Sequence, residues 1–100
     1  MRLTRGDIHN YGQPGAAMQK IVLLVSNQAV LDSARPWFMA LDLLDTDDRD
    51  VLTVRIPGHG FVNTAATHRV YRPWVGDRID SVAPDTVEHV EAALRTSLDL

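Results

Sequence analysis

Ile21-Val22-Leu23-Leu24-Val25 is an uninterrupted apolar run held between Lys20 and Ser26. Three of its five residues are β-branched and its length suits a strand better than a helix, so it predicts a strand buried on both faces. Working outward, Trp37-Phe38-Met39-Ala40-Leu41 follows Pro36, is rich in strand-preferring aromatics, and predicts a second inner strand. Val51-Leu52-Thr53-Val54-Arg55-Ile56 leads into Pro57-Gly58, and Phe61-Val62 resumes after Gly60, which predicts a hairpin with His59 at its tip. Arg69-Val70-Tyr71-Arg72 and Arg78-Ile79-Asp80-Ser81-Val82 alternate as half-exposed strands do. After Pro84 the period changes. Val87, Val90, Leu94 and Leu98 recur at spacings of three and four, predicting an amphipathic C-terminal helix with Pro84 at its first position and Asp85 complementing its dipole. The expected fold is mainly β with a C-terminal helix: a small, strongly curved antiparallel sheet, or partly open barrel, of five to seven short strands.

Composition sets the frame for function. The chain has 100 residues, 45% apolar, and neither a repeat nor a linker divides it, so residues 1–100 are expected to form one domain. A core of this size gains from a partner subunit, and a homodimer is expected. The formal charge of −3 argues against nucleic-acid binding by bulk electrostatics. The charge is segregated, however. Residues 1–31 and 51–79 are net basic, residues 32–50 and 80–100 net acidic, so a local basic patch is available. The absence of cysteine excludes a disulfide framework, a thiolate zinc site and a cysteine nucleophile, and fits a reducing cytoplasm. No apolar run approaches the roughly 20 residues that span a bilayer, and Gly6-Asp7 interrupts any signal-peptide core. A cytoplasmic protein with no membrane partner is expected.

Five blocks then carry a resemblance. Arg5-Gly6-Asp7-Ile8, Val22-Leu23-Leu24-Val25-Ser26-Asn27, Phe61-Val62-Asn63, Gly76-Asp77-Arg78-Ile79 and the ending Val87 to Leu98 follow one another as the blocks of MazF/PemK toxins do. Taken together, the chain resembles that family along nearly its whole length. The resemblance implies a curved barrel-like sheet with a C-terminal helix, a homodimer, a cognate antitoxin, and endoribonuclease action on single-stranded mRNA at short sequences without metal or cofactor. It also implies site positions. Lys20-Ile21 stands where the family usually has Arg-Pro, so Lys20 takes the place of a catalytic arginine, keeping the charge without the guanidinium fork. Asp42 stands nearest the position of a hydroxyl residue that assists at the phosphate, and Asn63 and Ala65 replace an Arg and Asp of the PemK branch. The alternative on the same fold is a non-catalytic binding protein, either a decayed toxin or one acting on a protein target. A gyrase-poisoning role of the CcdB kind is disfavoured, because the chain ends Ser97-Leu98-Asp99-Leu100 rather than Trp-Gly-Ile.

Metal-free RNA cleavage needs a base for the 2′-hydroxyl, a donor or cation for the phosphorane charge, and an acid for the leaving 5′-oxygen. Lys20, His68 and Asp42 are the catalytic candidates. His68 opens the most basic stretch of the chain and is of the residue type that exchanges protons near neutral pH. Arg69 and Arg72, interleaved with Tyr71 and Trp74, are candidates for tracking a phosphate backbone while the rings stack bases, although the same rings equally suit a core or dimer interface. Arg5, Asn63 and His59 complete the RNA-binding candidates: a cation, an amide with donor and acceptor, and an imidazole between glycines. His9 is placed on the first strand, facing the same groove, and His89 away from it. The acidic run Asp42, Asp45, Asp47, Asp48 and Asp50 fails as a calcium loop, with Asp50 at the sixth position and Ile56 at the twelfth. It is expected to be a solvated loop, and no metal site is expected anywhere.

Overall fold

The computed structural model describes residues 2–98; Met1, Asp99 and Leu100 lie outside the described residues. Seven strands and two helices follow in the order β1 (Asp7–Tyr11), β2 (Lys20–Leu24), α1 (Gln28–Asp32), β3 (Trp37–Asp42), β4 (Thr53–Ile56), β5 (Gly60–Asn63), β6 (His68–Tyr71), β7 (Val75–Ser81) and α2 (Pro84–Leu98). Five strands form an antiparallel sheet in the order β6-β3-β2-β1-β7, while β4 and β5 pair as a separate hairpin.

Strand alternation explains the two cores. Val22 and Leu24 turn to one face of β2, where they join Leu3, Leu31, Phe38, Ala40 and Val70. Leu23 turns to the other, with Ile8, Leu41, Ile56, Val62 and Val90. β2 is thus buried on both faces at its centre, as its continuous apolar run predicts. Its ends differ from that expectation. Ile21 is 42% exposed, because it sits at the open end of the sheet where only Asn10 faces it across β1, and the strand stops at Leu24.

β6 and β7 occupy opposite edges of the sheet, yet only the 3₁₀ turn Arg72–Trp74 joins them, so the sheet must roll. Irregular pairing between β1 and β7 at Ile8, His9 and Tyr11 supplies the bend. The Tyr11 hydroxyl then accepts the Tyr71 N–H at 2.8 Å, and the Gly12 N–H donates to the Trp74 carbonyl at 3.1 Å, tying β1 to the turn. The result is the partly open barrel.

On the outer face lie α2 and the hairpin. α2 begins at Pro84, carries Asp85 in its first turn and Arg95 in its last, and buries Thr86 and Val90. Gly6 makes this packing possible: its φ is +91°, and a Cβ there would stand 2.8 Å from Val87 Cγ2. The hairpin is shorter than its sequence suggests. Val51 is 94% exposed and β4 starts at Thr53, because Asp50 turns the chain by accepting the Leu52 N–H on its side chain and the Thr53 N–H on its carbonyl. α1 has no counterpart in the sequence periodicity, being five residues long. It forms because Asn27 caps Val30 and Gln28 fastens it to the Leu3 and Arg5 backbone.

Candidate active site

Register brings three distant side chains together. Val22 pairs with Asp42 across β2 and β3, so Lys20, two residues before Val22, shares the face of Asp42. Ala40 pairs with His68 across β3 and β6, which places His68 on that same face. Asp42 therefore stands between a lysine and a histidine. Its Oδ2 lies 3.4 Å from Lys20 Nζ and its Oδ1 2.7 Å from His68 Nε2. About a third of the Asp42 and His68 side chains remains open to solvent, enough for a substrate to reach them.

The geometry sets the tautomer of His68. A carboxylate only accepts, so Nε2 carries the proton it donates to Asp42, and Nδ1 of the neutral ring keeps its lone pair. In the imidazolium form both nitrogens donate, Nδ1 toward the Arg69 carbonyl 3.3 Å away. The arrangement supplies a base of fixed orientation, a carboxylate that compensates its charge, and an ammonium available to a phosphate. Among the described residues no group of three or more His, Asp or Glu side chains is arranged to hold a metal ion.

The other candidates lie elsewhere. Arg5 Nη1 pairs with Glu91 of α2 at 3.0 Å, at the rim of a groove of about 450 Å³ that also includes Val25, Met39, Leu94 and Leu98. His59 sits at the hairpin tip, where its Nε2 meets Asp80 of β7 at 2.8 Å. That hydrogen bond, with the Ser81 N–H, holds the Asp80 carboxyl below its ordinary value of 3.8. Arg69 lies over the exposed Trp37 ring, 4.8 Å from its centroid, on the opposite face of β6 from His68.

Two candidates are already engaged by the fold. Arg72 Nε and both Nη atoms donate to the Arg35, Leu31 and Val30 carbonyls, closing the C-terminal end of α1. Asn63 Nδ2 donates to Asp48 and Asp50 while its Oδ1 accepts from the Ala65 N–H, bracing the acidic turn. With the Thr53 hydroxyl as the larger cause, these contacts hold the Asp48 carboxyl below its usual range. His9 shares the face of Val22 but is fully buried, with Nδ1 on the Gly76 carbonyl at 2.9 Å, and so does not open onto the groove. Tyr11, Trp37, Tyr71 and Trp74 pack as one cluster with centroids 4.9 to 6.2 Å apart, Tyr71 and Trp74 meeting edge to face and the other two pairs tilted. Gln19 and Asp45 border the Lys20–Asp42 pair; the sequence marks Asp45 only as a member of the acidic run and does not mark Gln19.

No family model matches the sequence, and no curated protein does. Solved structures do. An endoribonuclease from a mycobacterial species superposes with a TM-score of 0.83 at 25% identity, over 100% of this chain and 94% of that one. A second mycobacterial endoribonuclease, solved in complex with its cognate antitoxin, gives 0.81 at 24% identity over 99% and 95%. MazE–MazF from Deinococcus radiodurans gives 0.82 at 14% identity over 100% and 98%, a likeness of fold alone.

Proposed function

We propose that this chain, which has the MazF-type toxin fold, is the toxin of a toxin–antitoxin pair and an endoribonuclease acting on single-stranded RNA. The observation that carries the reading is Asp42 holding Lys20 and His68 on one face at the open end of the sheet. His68 Nδ1 takes the proton of the 2′-hydroxyl, and the 2′-oxygen attacks the adjacent phosphorus. Lys20 Nζ compensates the charge on the non-bridging oxygens. Asp42 stabilises the imidazolium through Nε2–H, much as a buried carboxylate orients the histidine of a hydrolase triad. The P–O5′ bond then breaks, the 5′-oxygen takes a proton from water, the imidazolium returns its proton to the hydroxide left behind, and the other fragment keeps a 2′,3′-cyclic phosphate. The step calls on side chains alone, so the reading includes no metal and no cofactor.

Partners follow from the same reading: single-stranded RNA as substrate, a cognate antitoxin, and a second copy of the chain. The groove lined by Val25, Met39, Leu94 and Leu98, together with the 40% exposed Trp37, supports self-association, which would cover apolar surface on a chain of 11.1 kDa. No helix among the described residues is long and apolar enough to cross a membrane. The cytoplasm, where mRNA is met, is the proposed compartment. The test is incubation of purified protein with a long unstructured RNA, with and without chelator. Expected are discrete cuts, unaffected by chelator, leaving cyclic phosphate ends. Folded, antitoxin-free protein that leaves the RNA whole would replace this reading with a non-catalytic binding protein.

A further inference from the structure

The open end of the β2–β3 pair holds a groove of about 320 Å³ bordered by Gln19, Lys20, Ile21, Leu43, Leu44 and Asp45, directly beside Asp42. Its walls are apolar and its rim is polar. Ile21 leaves part of its side chain uncovered. The backbone around it is held firmly: the Leu43 N–H donates to the Ile21 carbonyl at 2.9 Å, and Leu44 exchanges two hydrogen bonds with Phe61 of the hairpin at 2.7 and 2.9 Å. Gly60 lets the hairpin come this close, since a Cβ there would overlap the Leu44 carbonyl oxygen. On the other side the Gln19 stem rests against Gly12.

Asp45 stands apart from the rest of the acidic run. Asp42 holds Lys20 and His68, Asp47 accepts the Arg49 N–H, Asp48 binds Thr53 and Asn63, and Asp50 accepts from Leu52. Among the described residues Asp45 has no hydrogen-bond or ion-pair partner, and it is exposed at the groove rim. An acceptor pair, a neighbouring amide, flat apolar walls and an ammonium at the mouth match the edge, face and phosphate of a nucleotide.

We propose that this groove binds one guanine base of the RNA, in the nucleotide adjoining the scissile phosphate, and so sets the cleavage sequence. The inference rests on the ribonuclease reading above. Guanine is singled out by hydrogen-bond chemistry. Its N1–H and N2–H lie side by side and match the two oxygens of the Asp45 carboxylate, while its O6 accepts from Gln19 Nε2. Adenine and cytosine each set a ring-nitrogen lone pair beside their amino group, against a carboxylate oxygen. Uracil flanks its one N–H with two carbonyls. Each of these alternatives leaves a carboxylate oxygen facing a lone pair.

Binding tests the subsite separately from catalysis. Fluorescence anisotropy is measured on the full chain with short uridine-rich RNAs carrying one guanine, or inosine, 7-deazaguanine or adenine in its place, each 2′-O-methylated throughout to block cleavage. Inosine lacks the N2 amino group, whereas 7-deazaguanine keeps the whole reading edge. Guanine and 7-deazaguanine are expected to bind equally, and inosine about tenfold more weakly. Asp45→Asn should erase the difference between guanine and inosine; the side chain has no partner in the fold to lose. Equal affinity of the wild type for guanine and inosine, or a preference that survives Asp45→Asn, would overturn the subsite. Cleavage mapping reports on the ribonuclease reading: cuts with no guanine beside them overturn the subsite and leave the enzyme, whereas guanine-dependent binding without cuts keeps the subsite and removes the enzyme.

Discussion

His68 Nε2 lies 2.7 Å from Asp42 Oδ1, a contact made across 26 residues by the pairing of an edge strand with its neighbour. The same carboxylate holds Lys20 with its other oxygen, so the three groups act as a unit and their removal is not expected to be additive.

His68→Ala should lower RNA cleavage by roughly 10²–10⁴, and Lys20→Ala by roughly 10²–10³, with both proteins still folded because the side chains are partly exposed. Lys20→Arg should retain activity, since the charge stays and a fork is gained. Asp42→Asn keeps the shape but replaces the acceptor for His68, and should lower kcat with little change in KM. Single-turnover rates across pH check this: the His68 variant should lose one limb of the wild-type profile. Unchanged rates in His68→Ala, Lys20→Ala and Asp42→Asn would place the chemistry elsewhere.

Arg72 gives a prediction of the opposite kind. Its guanidinium satisfies three main-chain carbonyls at 2.8 to 3.1 Å and lies over the Phe38 ring. Arg72→Ala should cost about 2 kcal/mol of stability, the scale of a charged hydrogen-bond set lost at a partly buried helix end. Arg72→Lys should recover less than half, because one ammonium cannot span the three acceptors. Urea denaturation measures both. RNA affinity of the folded variants should stay near the wild-type value.

Gly60 should tolerate no side chain. With φ at +112° and the Leu44 carbonyl in the way, Gly60→Ala should destabilise by about 1–3 kcal/mol and loosen the hairpin from the main sheet. Hydrogen exchange at the Phe61 and Leu44 amides, which bond each other's carbonyls, should rise first.

These contrasts mark where sequence reading reaches its limit. β2, the β4–β5 hairpin and α2 carry local signals: a bounded apolar run, a Pro-Gly turn and a spacing of three and four. Lys20, Asp42 and His68 were also legible, one by one, from the family resemblance and the basic stretch. Their meeting was not, because it depends on the β3–β2 and β3–β6 registers. For Arg72 and Asn63 too, residue type is visible in the sequence, but the carbonyls and carboxylates that hold them in the fold are not. α1 is too short for periodicity and is held by contacts beyond itself, from its own Gln28 to the Leu3 carbonyl and from Arg72 to its Leu31 carbonyl. His9 reads as facing the groove, yet the β1 pairing places it under full cover.

The hairpin's two carboxylate anchors predict how the fold responds to acid. Asp80, bonded to His59 at the tip, and Asp48, bonded to Thr53 and Asn63 at the base, both have their carboxyls held below the ordinary 3.8. A group whose folded value is depressed contributes stability that is present above its unfolded value and is lost as pH falls through the folded one. Stability should therefore be steady above about pH 5 and decline below about pH 4, where the unfolded chain takes up more protons than the folded one. Both carboxylates are exposed, so the loss should be modest and should shrink in high salt. The midpoint of urea unfolding, followed from about pH 6 to about pH 3, measures it. Asp80→Asn should flatten the acid limb, and Asp80→Asn with Asp48→Asn should flatten it further. In the wild type, acid should raise hydrogen exchange at the hairpin amides before it does so in β2. An acid limb of unchanged steepness in the double variant would overturn this assignment.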